Sequence, residues 1–248
     1  MNSAESRPPV PVIDHGTGWM VVDKPSGMSV HNDPGGDLCA VLAQWLRSDR
    51  TFQQAVSFDP AYGLHPVHRL DKETSGIILL AGRRDIFQHF AQQFSRGRVS
   101  KRYLALVHGA VSPASCEGLW HWSLTSRAAG RRNPRGQGRR SPSQTRYRVL
   151  HRTPHYTLIA CFPLTGRTHQ IRRHAALAGH PLVGDQRYGS LRACRYVAER
   201  YNFSRLALHA HGLALACPHE PEDRRFESSG LPEEIGRLID ADATGSPS

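Results

Sequence analysis

Apolar positions along this chain gather into short runs more often than into helical stripes. Residues 19–23 form one such run, cut off by the Pro25-Ser26-Gly27 turn. A second, Ile77-Ile78-Leu79-Leu80, is entered from a polar loop ending in Thr74-Ser75-Gly76. Residues 102–107, 147–150, 156–162 and 205–216 read as further strands. Helical spacing shows in two places. Leu38, Val41, Leu42, Trp45 and Leu46 share one face behind Asp37, a natural cap, and Ile86, Phe87, Phe90, Ala91 and Phe94 make a second amphipathic stretch. Both fit core helices, and residues 168–178 read as a short helix after the Thr165-Gly166 turn. Many strands with few helices between them predict an α+β fold.

The ends differ in composition from this middle. A Pro-rich stretch, 1–18, reads as an N-terminal tail, 19–219 as the main domain, and 220–248 as an acidic, Gly- and Pro-containing C-terminal tail. That tail is expected to hold at most one short helix around 233–239 and to be mobile over its last several residues. A chain of 248 residues can bury a core without a disulfide or a metal. The five cysteines are scattered without C-x-x-C spacing, so neither a disulfide framework nor a zinc site is predicted. Without an apolar run of membrane-spanning length or a basic-then-apolar start, the expected compartment is the cytoplasm.

Charge sharpens the picture through its distribution. The formal net charge is +11, and between Glu117 and Asp185 there is no acidic residue but twelve arginines, six of them between Arg127 and Arg140. A polyanionic partner explains such an interval. The Gly-, Pro- and Ser-rich loop 126–143 within it is open to two readings, a solvated basic loop or a phosphate-contacting one. Against 29 arginines there are three lysines, Lys24, Lys72 and Lys101, which suggests positions where a guanidinium does not replace an ammonium.

The densest chemistry lies in His65-Pro66-Val67-His68-Arg69-Leu70-Asp71-Lys72-Glu73-Thr74-Ser75-Gly76, a loop too polar for a core. Taken as residue types alone, it is explained as well by an Asp turn with a surface Arg partner as by a site. The string His68-Arg69-Leu70-Asp71 with Thr74-Ser75-Gly76, however, resembles the signature of the RluA-type pseudouridine synthases. Three further segments resemble that family in order: Asp23-Lys24-Pro25-Ser26-Gly27; Lys101 to Gly109, with Tyr103; and Leu164-Thr165-Gly166-Arg167-Thr168-His169-Gln170-Ile171-Arg172, followed by His180-Pro181-Leu182-Val183-Gly184-Asp185. Residues 205–210 match a fourth, structural, landmark. The likeness spans residues 19–218, and ordered co-occurrence is more specific than any single motif.

The resemblance implies a catalytic domain with a long, mainly antiparallel sheet, two joined halves and a central cleft. It implies Asp71 as the catalytic carboxylate, Arg69 as a helper in displacing the target nucleotide, Tyr103 against the target base and Arg172 as the partner of Asp71. The implied reaction turns uridine into pseudouridine within ribosomal or transfer RNA. It breaks the C1′–N1 bond, turns the uracil and rejoins it through C5, with no atom lost and no cofactor or metal required. Hydrolytic glycosidases generally use two carboxylates, one managing water. Here water would release the base, so one carboxylate in a closed pocket suits the reaction. Asp71 must be ionised, either to attack C1′ or to remove the C2′ proton, and an arginine such as Arg172 would counter the effect of burial. Tyr103 would offer a stacking face and a hydroxyl for proton transfer at C5.

Two rivals are set against this. His65, His68, His169, His174, His180, His209 and His211 invite a metal-hydrolase reading, but no adjacent carboxylate stands in a metalloprotease or deaminase arrangement. A non-catalytic RNA-binding module would explain the charge yet not the carboxylate among RNA-directed cations. RNA is the expected partner, with no obligate protein partner, no membrane and a monomeric state.

Overall fold

The computed structural model describes residues 7–33, 35–111, 116–127 and 129–245. The architecture is α+β with one large, mostly antiparallel sheet and few helices. By contact the chain divides into two compact units, residues 1–100 with 212–229, and residues 101–211 with 230–248.

In the first unit β1 (Val12–Gly16) pairs antiparallel with β2 (Trp19–Lys24), and β2 with β4 (Ser75–Ala81), which also pairs with the short β3 (His65–Pro66). Every residue of β4 is buried, so both of its faces are covered. This is why its sequence is an unbroken apolar run rather than an alternation. Asp37 caps α1 (Leu38–Ser48) by accepting from the Ala40 N–H, and α2 (Arg50–Ala55) follows directly under an Asp49 cap. From α3 (Arg84–Ser95), Ile86 and Phe90 join Trp19, Val21, Ile77, Leu79 and Leu213 in one core.

In the second unit β5 (Ser100–His108) pairs antiparallel with β10 (Tyr156–Pro163), β10 with β9 (Thr145–Arg152), and β9 with the edge strand β6 (Glu117–Trp120). Two-residue strands β7 (Leu124–Thr125) and β8 (Arg140–Ser141) close the basic loop into a separate small ladder. Helices α4 (Gln170–Leu177) and α5 (Leu191–Tyr201) follow. Strand β11 (Leu208–Ala216) begins three residues later than its apolar run suggests; from Gly212 on it belongs to the first unit, where it pairs with β12 (Asp223–Glu227).

Composition sets 220–248 apart as an acidic tail, yet β12 and α6 (Glu233–Thr244) lie in it, and β1 lies in the stretch read as an N-terminal tail. Ile235, Leu238 and Ile239 of α6 pack with Leu106, Val183 and Phe203. The helix runs five residues beyond the expected 233–239 because its apolar face continues to Ala241 while Glu233, Glu234 and Asp240 stay exposed. Mobility was expected over the last several residues; 246–248 lie outside the described residues.

Asp242 fastens α6 to the β9–β10 turn. Its carboxylate accepts hydrogen bonds from the Thr153 hydroxyl, the His155 N–H (3.0 Å) and the His155 ring (2.7 Å). Burial works to raise this carboxyl, but the three bonds outweigh it and hold the group below the usual carboxylate range. A carboxyl depressed on folding adds stability that is present above its unfolded pKa and is lost as pH falls through the folded one. Asp242→Asn should therefore lower the unfolding free energy at neutral pH by about 1–3 kcal/mol in urea titrations. The gap to wild type should close as pH drops below the carboxylate range; a gap independent of pH would contradict the charged-acceptor account.

Candidate active site

Asp71 sits half-buried in the loop between β3 and β4, and three neighbours hold that loop. The Lys24 ammonium, fully buried, donates to the carbonyls of Pro25 (2.8 Å), Met28 (2.8 Å) and Lys72 (3.2 Å). The Gly27 N–H also donates to Lys72 O (2.9 Å), and the Ser26 hydroxyl to Glu73 O (2.7 Å). The Pro25-Ser26-Gly27 turn thus grips the two residues that follow Asp71. Gly27 takes φ 85°, where a side chain would be strained. On the far side the Thr74 N–H donates to Asp71 O (3.1 Å), and Gly76, at φ 111° and second in β4, pairs with Lys24. A loop held at so many backbone points presents its carboxylate in one place.

Upstream, His68 is structural. Its Nε2 accepts the Leu79 N–H (3.0 Å), so that nitrogen is unprotonated, and its ring stacks on Phe94 at 4.9 Å. Leu70 points into the core, and Arg69 is exposed. Lys72 is exposed too, 3.9 Å from an exposed Asp33, a pair of little energetic weight.

The other two predicted site residues belong to the second unit. Tyr103, half-buried on β5, pairs with Cys161 of β10 and packs at the border of the core. Arg172 lies on the first turn of α4, 3% exposed. Its Nε and Nη2 make a fork with Asp185, at 2.8 and 3.0 Å, and Asp185 also accepts the Arg187 and Tyr188 N–H groups. Arg172 thus makes a forked contact with Asp185, the residue that ends the acid-free interval. Two backbone N–H bonds hold the Asp185 carboxylate toward the planar edge of the guanidinium.

Gln170 organises the turn before Arg172. Its carbonyl accepts from the Thr165 hydroxyl (2.6 Å) and the Arg167 N–H (3.1 Å), and its amide donates to Gln144 O and Thr145 Oγ1, both at 2.9 Å. The remaining histidines of the metal reading are engaged by protein. His169 meets the Tyr188 hydroxyl, His174 meets Thr145 Oγ1 and Trp122 O, and His180 meets His108 O. Burial, with His211 and Arg205 nearby, pushes His209 down to about 4, leaving it neutral near neutral pH. Among the described residues no group of three or more His, Cys, Asp or Glu could hold a metal ion.

Residues 18–177 match the RNA pseudouridylate synthase family, and the chain belongs to it. It is 38% identical over 202 residues to the ribosomal large subunit pseudouridine synthase C of Vibrio vulnificus, covering 80% of this chain and 59% of that one. Against the protein of the same name from Escherichia coli K12 it is 36% identical over 219 residues, covering 84% and 63%. The chain therefore spans about 60% of the length of these relatives. The human RNA pseudouridylate synthase domain containing 4 shares the fold at a TM-score of 0.70 and 23% identity, over 92% of both chains. Human domain containing 1 does so at 0.67 and 22%, over the whole of both.

Lys24 had drawn notice as a rare lysine; its work proves to be enclosing three carbonyls. Lys24→Met should cost at least about 1–3 kcal/mol by leaving buried acceptors unmet, and Lys24→Arg should not restore the loss in a site closed to a larger head group. Thr74 gives the opposite case: its hydroxyl is buried with no hydrogen-bond partner. Thr74→Val should be neutral or stabilising by thermal melt, and a clear loss of stability would show that the hydroxyl is satisfied after all.

Proposed function

We propose that this chain converts uridine to pseudouridine in structured RNA, with Asp71 as the reactive carboxylate. What carries the reading is the position of Asp71 on a loop pinned through Lys72 and Glu73, inside the segment shared with pseudouridine synthases. A pinned carboxylate meets the sugar of an extruded nucleotide without reorganising first, which lowers the cost of reaching the transition state. It acts at C1′ as nucleophile or at C2′ as base. Either route separates uracil from C1′, and the same base then bonds through C5, which gives up its proton while N1 takes one up; on the C2′ route the proton removed there is also returned. Nothing is oxidised or added, so the reaction calls for no cofactor.

In this assignment Arg69, exposed two residues before Asp71, enters the space left by the flipped nucleotide. Tyr103 lies against the uracil, and Arg172 keeps the carboxylate of Asp71 ionised through the guanidinium edge that Asp185 does not use. Ribosomal RNA is the first substrate to try, because the relatives named above are ribosomal large subunit enzymes; transfer RNA is the second. A reducing cytoplasm fits the cysteines. Cys39, Cys161 and Cys217 are buried free thiols, pushed up by burial to about 12 for Cys39 and Cys217, and so protonated and inert in a reducing compartment. No described helix is long and apolar enough to cross a membrane.

The test is pseudouridine mapping, by chemical derivatisation and sequencing, of unmodified ribosomal and transfer RNA incubated with wild type and with Asp71→Asn. New pseudouridine is expected with wild type. Turnover should fall by about 10²–10⁴-fold or more in the variant, with RNA affinity kept. An equal yield from both proteins would remove Asp71 from the chemistry, and no product on any RNA would bring the binding-module reading forward.

A further inference from the structure

Next to Arg172 in sequence, Arg173 does something different. It is fully buried, and each of its five N–H donors has an acceptor. Nε donates to Pro134 O (2.6 Å), Nη1 to Thr125 O (2.9 Å) and Thr168 O (3.2 Å), and Nη2 to Thr125 Oγ1 (3.1 Å) and Arg135 O (2.7 Å). Four of the five acceptors belong to the basic loop or to the strand that enters it. No carboxylate shares the charge, and the surrounding sequence, 118–184, contains none.

The loop is built around this point. Its backbone closes through Asn133 N to Gly130 O (3.1 Å), Gly136 N to Asn133 O (3.0 Å) and Thr125 N to Arg135 O (3.0 Å). Gly136 has φ 82°, and a Cβ there would lie 2.0 Å from Thr125 Oγ1, so only glycine permits the close approach. Two side-chain ties fasten the outside, Arg131 Nη1 to Gly189 O (3.1 Å) and Arg187 Nε to Ala129 O (2.7 Å). What remains outward is cationic: Arg127, Arg132 and Arg139 are exposed, and their side chains form no hydrogen bond or ion pair among the described residues, the Arg127 carbonyl alone accepting from the Thr125 hydroxyl (3.1 Å).

We propose that residues 124–141 are a preformed platform for the phosphate backbone of the substrate RNA, with Arg173 as its positioning residue and Arg127, Arg132 and Arg139 as its contacts. The proposal rests on the RNA-directed function above and assigns to this loop the strands flanking the target uridine. A Gly- and Pro-containing loop left unstructured would lose ordering entropy on every binding event; one held by four bonds to a single guanidinium does not. Fixed cations suit structured RNA, whose phosphates stand at set spacings and whose recognition is largely by shape. A loop kept only to cover the sheet would gain nothing from three solvent-facing arginines. Arg172 and Arg173 also share one helical turn, so the platform and a predicted site residue are carried by the same rigid element.

The experiment combines a surface variant with an anchor variant, each on the full chain. In Arg127→Gln/Arg132→Gln/Arg139→Gln no buried group changes. The slope of log affinity against log salt should fall by about two to three, one contact per arginine, with KM for RNA rising and single-turnover rate at saturating RNA within about twofold of wild type. In Arg173→Lys, which keeps the charge but can fill three of the five bonds, the loop should become sensitive to trypsin and KM should rise without a matching loss of single-turnover rate. Unchanged salt slope and KM in the triple variant would overturn the platform even if Arg173→Lys fails to fold. If wild type makes no pseudouridine yet its RNA binding loses salt dependence in the triple variant, the platform stands and the catalytic reading falls.

Discussion

A cation taken out of water must be given acceptors in place of its hydration shell, and in this protein backbone carbonyls supply them. Lys24 collects three, Arg173 four and a hydroxyl. The direction of cause runs both ways. The carbonyls make the burial tolerable, and the buried charge dictates where loops carrying those carbonyls can lie. In the first unit the loop so placed bears Asp71. In the second it bears the outward arginines. Neither segment has enough apolar side chains to be positioned by packing, so a central donor takes the part that a hydrophobic core plays for β4 or α3.

The strands and the two amphipathic helices were legible because their signals are periodic or continuous: β2, β4, β5, β9 and β10 appear within a few residues of their apolar runs. Elements whose burial is slight were not. α5 buries only Val197 among its eleven residues, so no stripe betrayed it, and β12 was hidden in an acidic composition, in which α6 was expected at 233–239 but without its last five residues. Of the site, Asp71, Arg69, Tyr103 and Arg172 were reached through motif likeness. Their surroundings were not, because hydrogen bonds to carbonyls leave no mark on residue types. Arg173 was one arginine among 29. Asp185 offered a clue that went unused, since an acidic residue ending so long an acid-free interval needs a cation close by.

The histidines show how residue counting misleads in the same way. Seven of them invite a metal reading that the missing carboxylates already weaken, and those with defined partners act as hydrogen-bonding joints, a role that the two ring nitrogens allow. Burial lowers the pKa of His209 and His174, and the carbonyl that His174 meets, Trp122 O, is not one of those that Arg173 uses.

Lysine scarcity, finally, makes the chain unusually addressable by amine chemistry. Lys24 is sealed and Lys101 is half-buried, its ammonium pulled down by burial, whereas Lys72 is exposed one residue beyond Asp71. An acylating fluorophore or a reductively methylated, isotope-labelled side chain would therefore mark, among the lysines, chiefly the one beside Asp71, turning its spectral line or emission into a local gauge of whatever that loop meets.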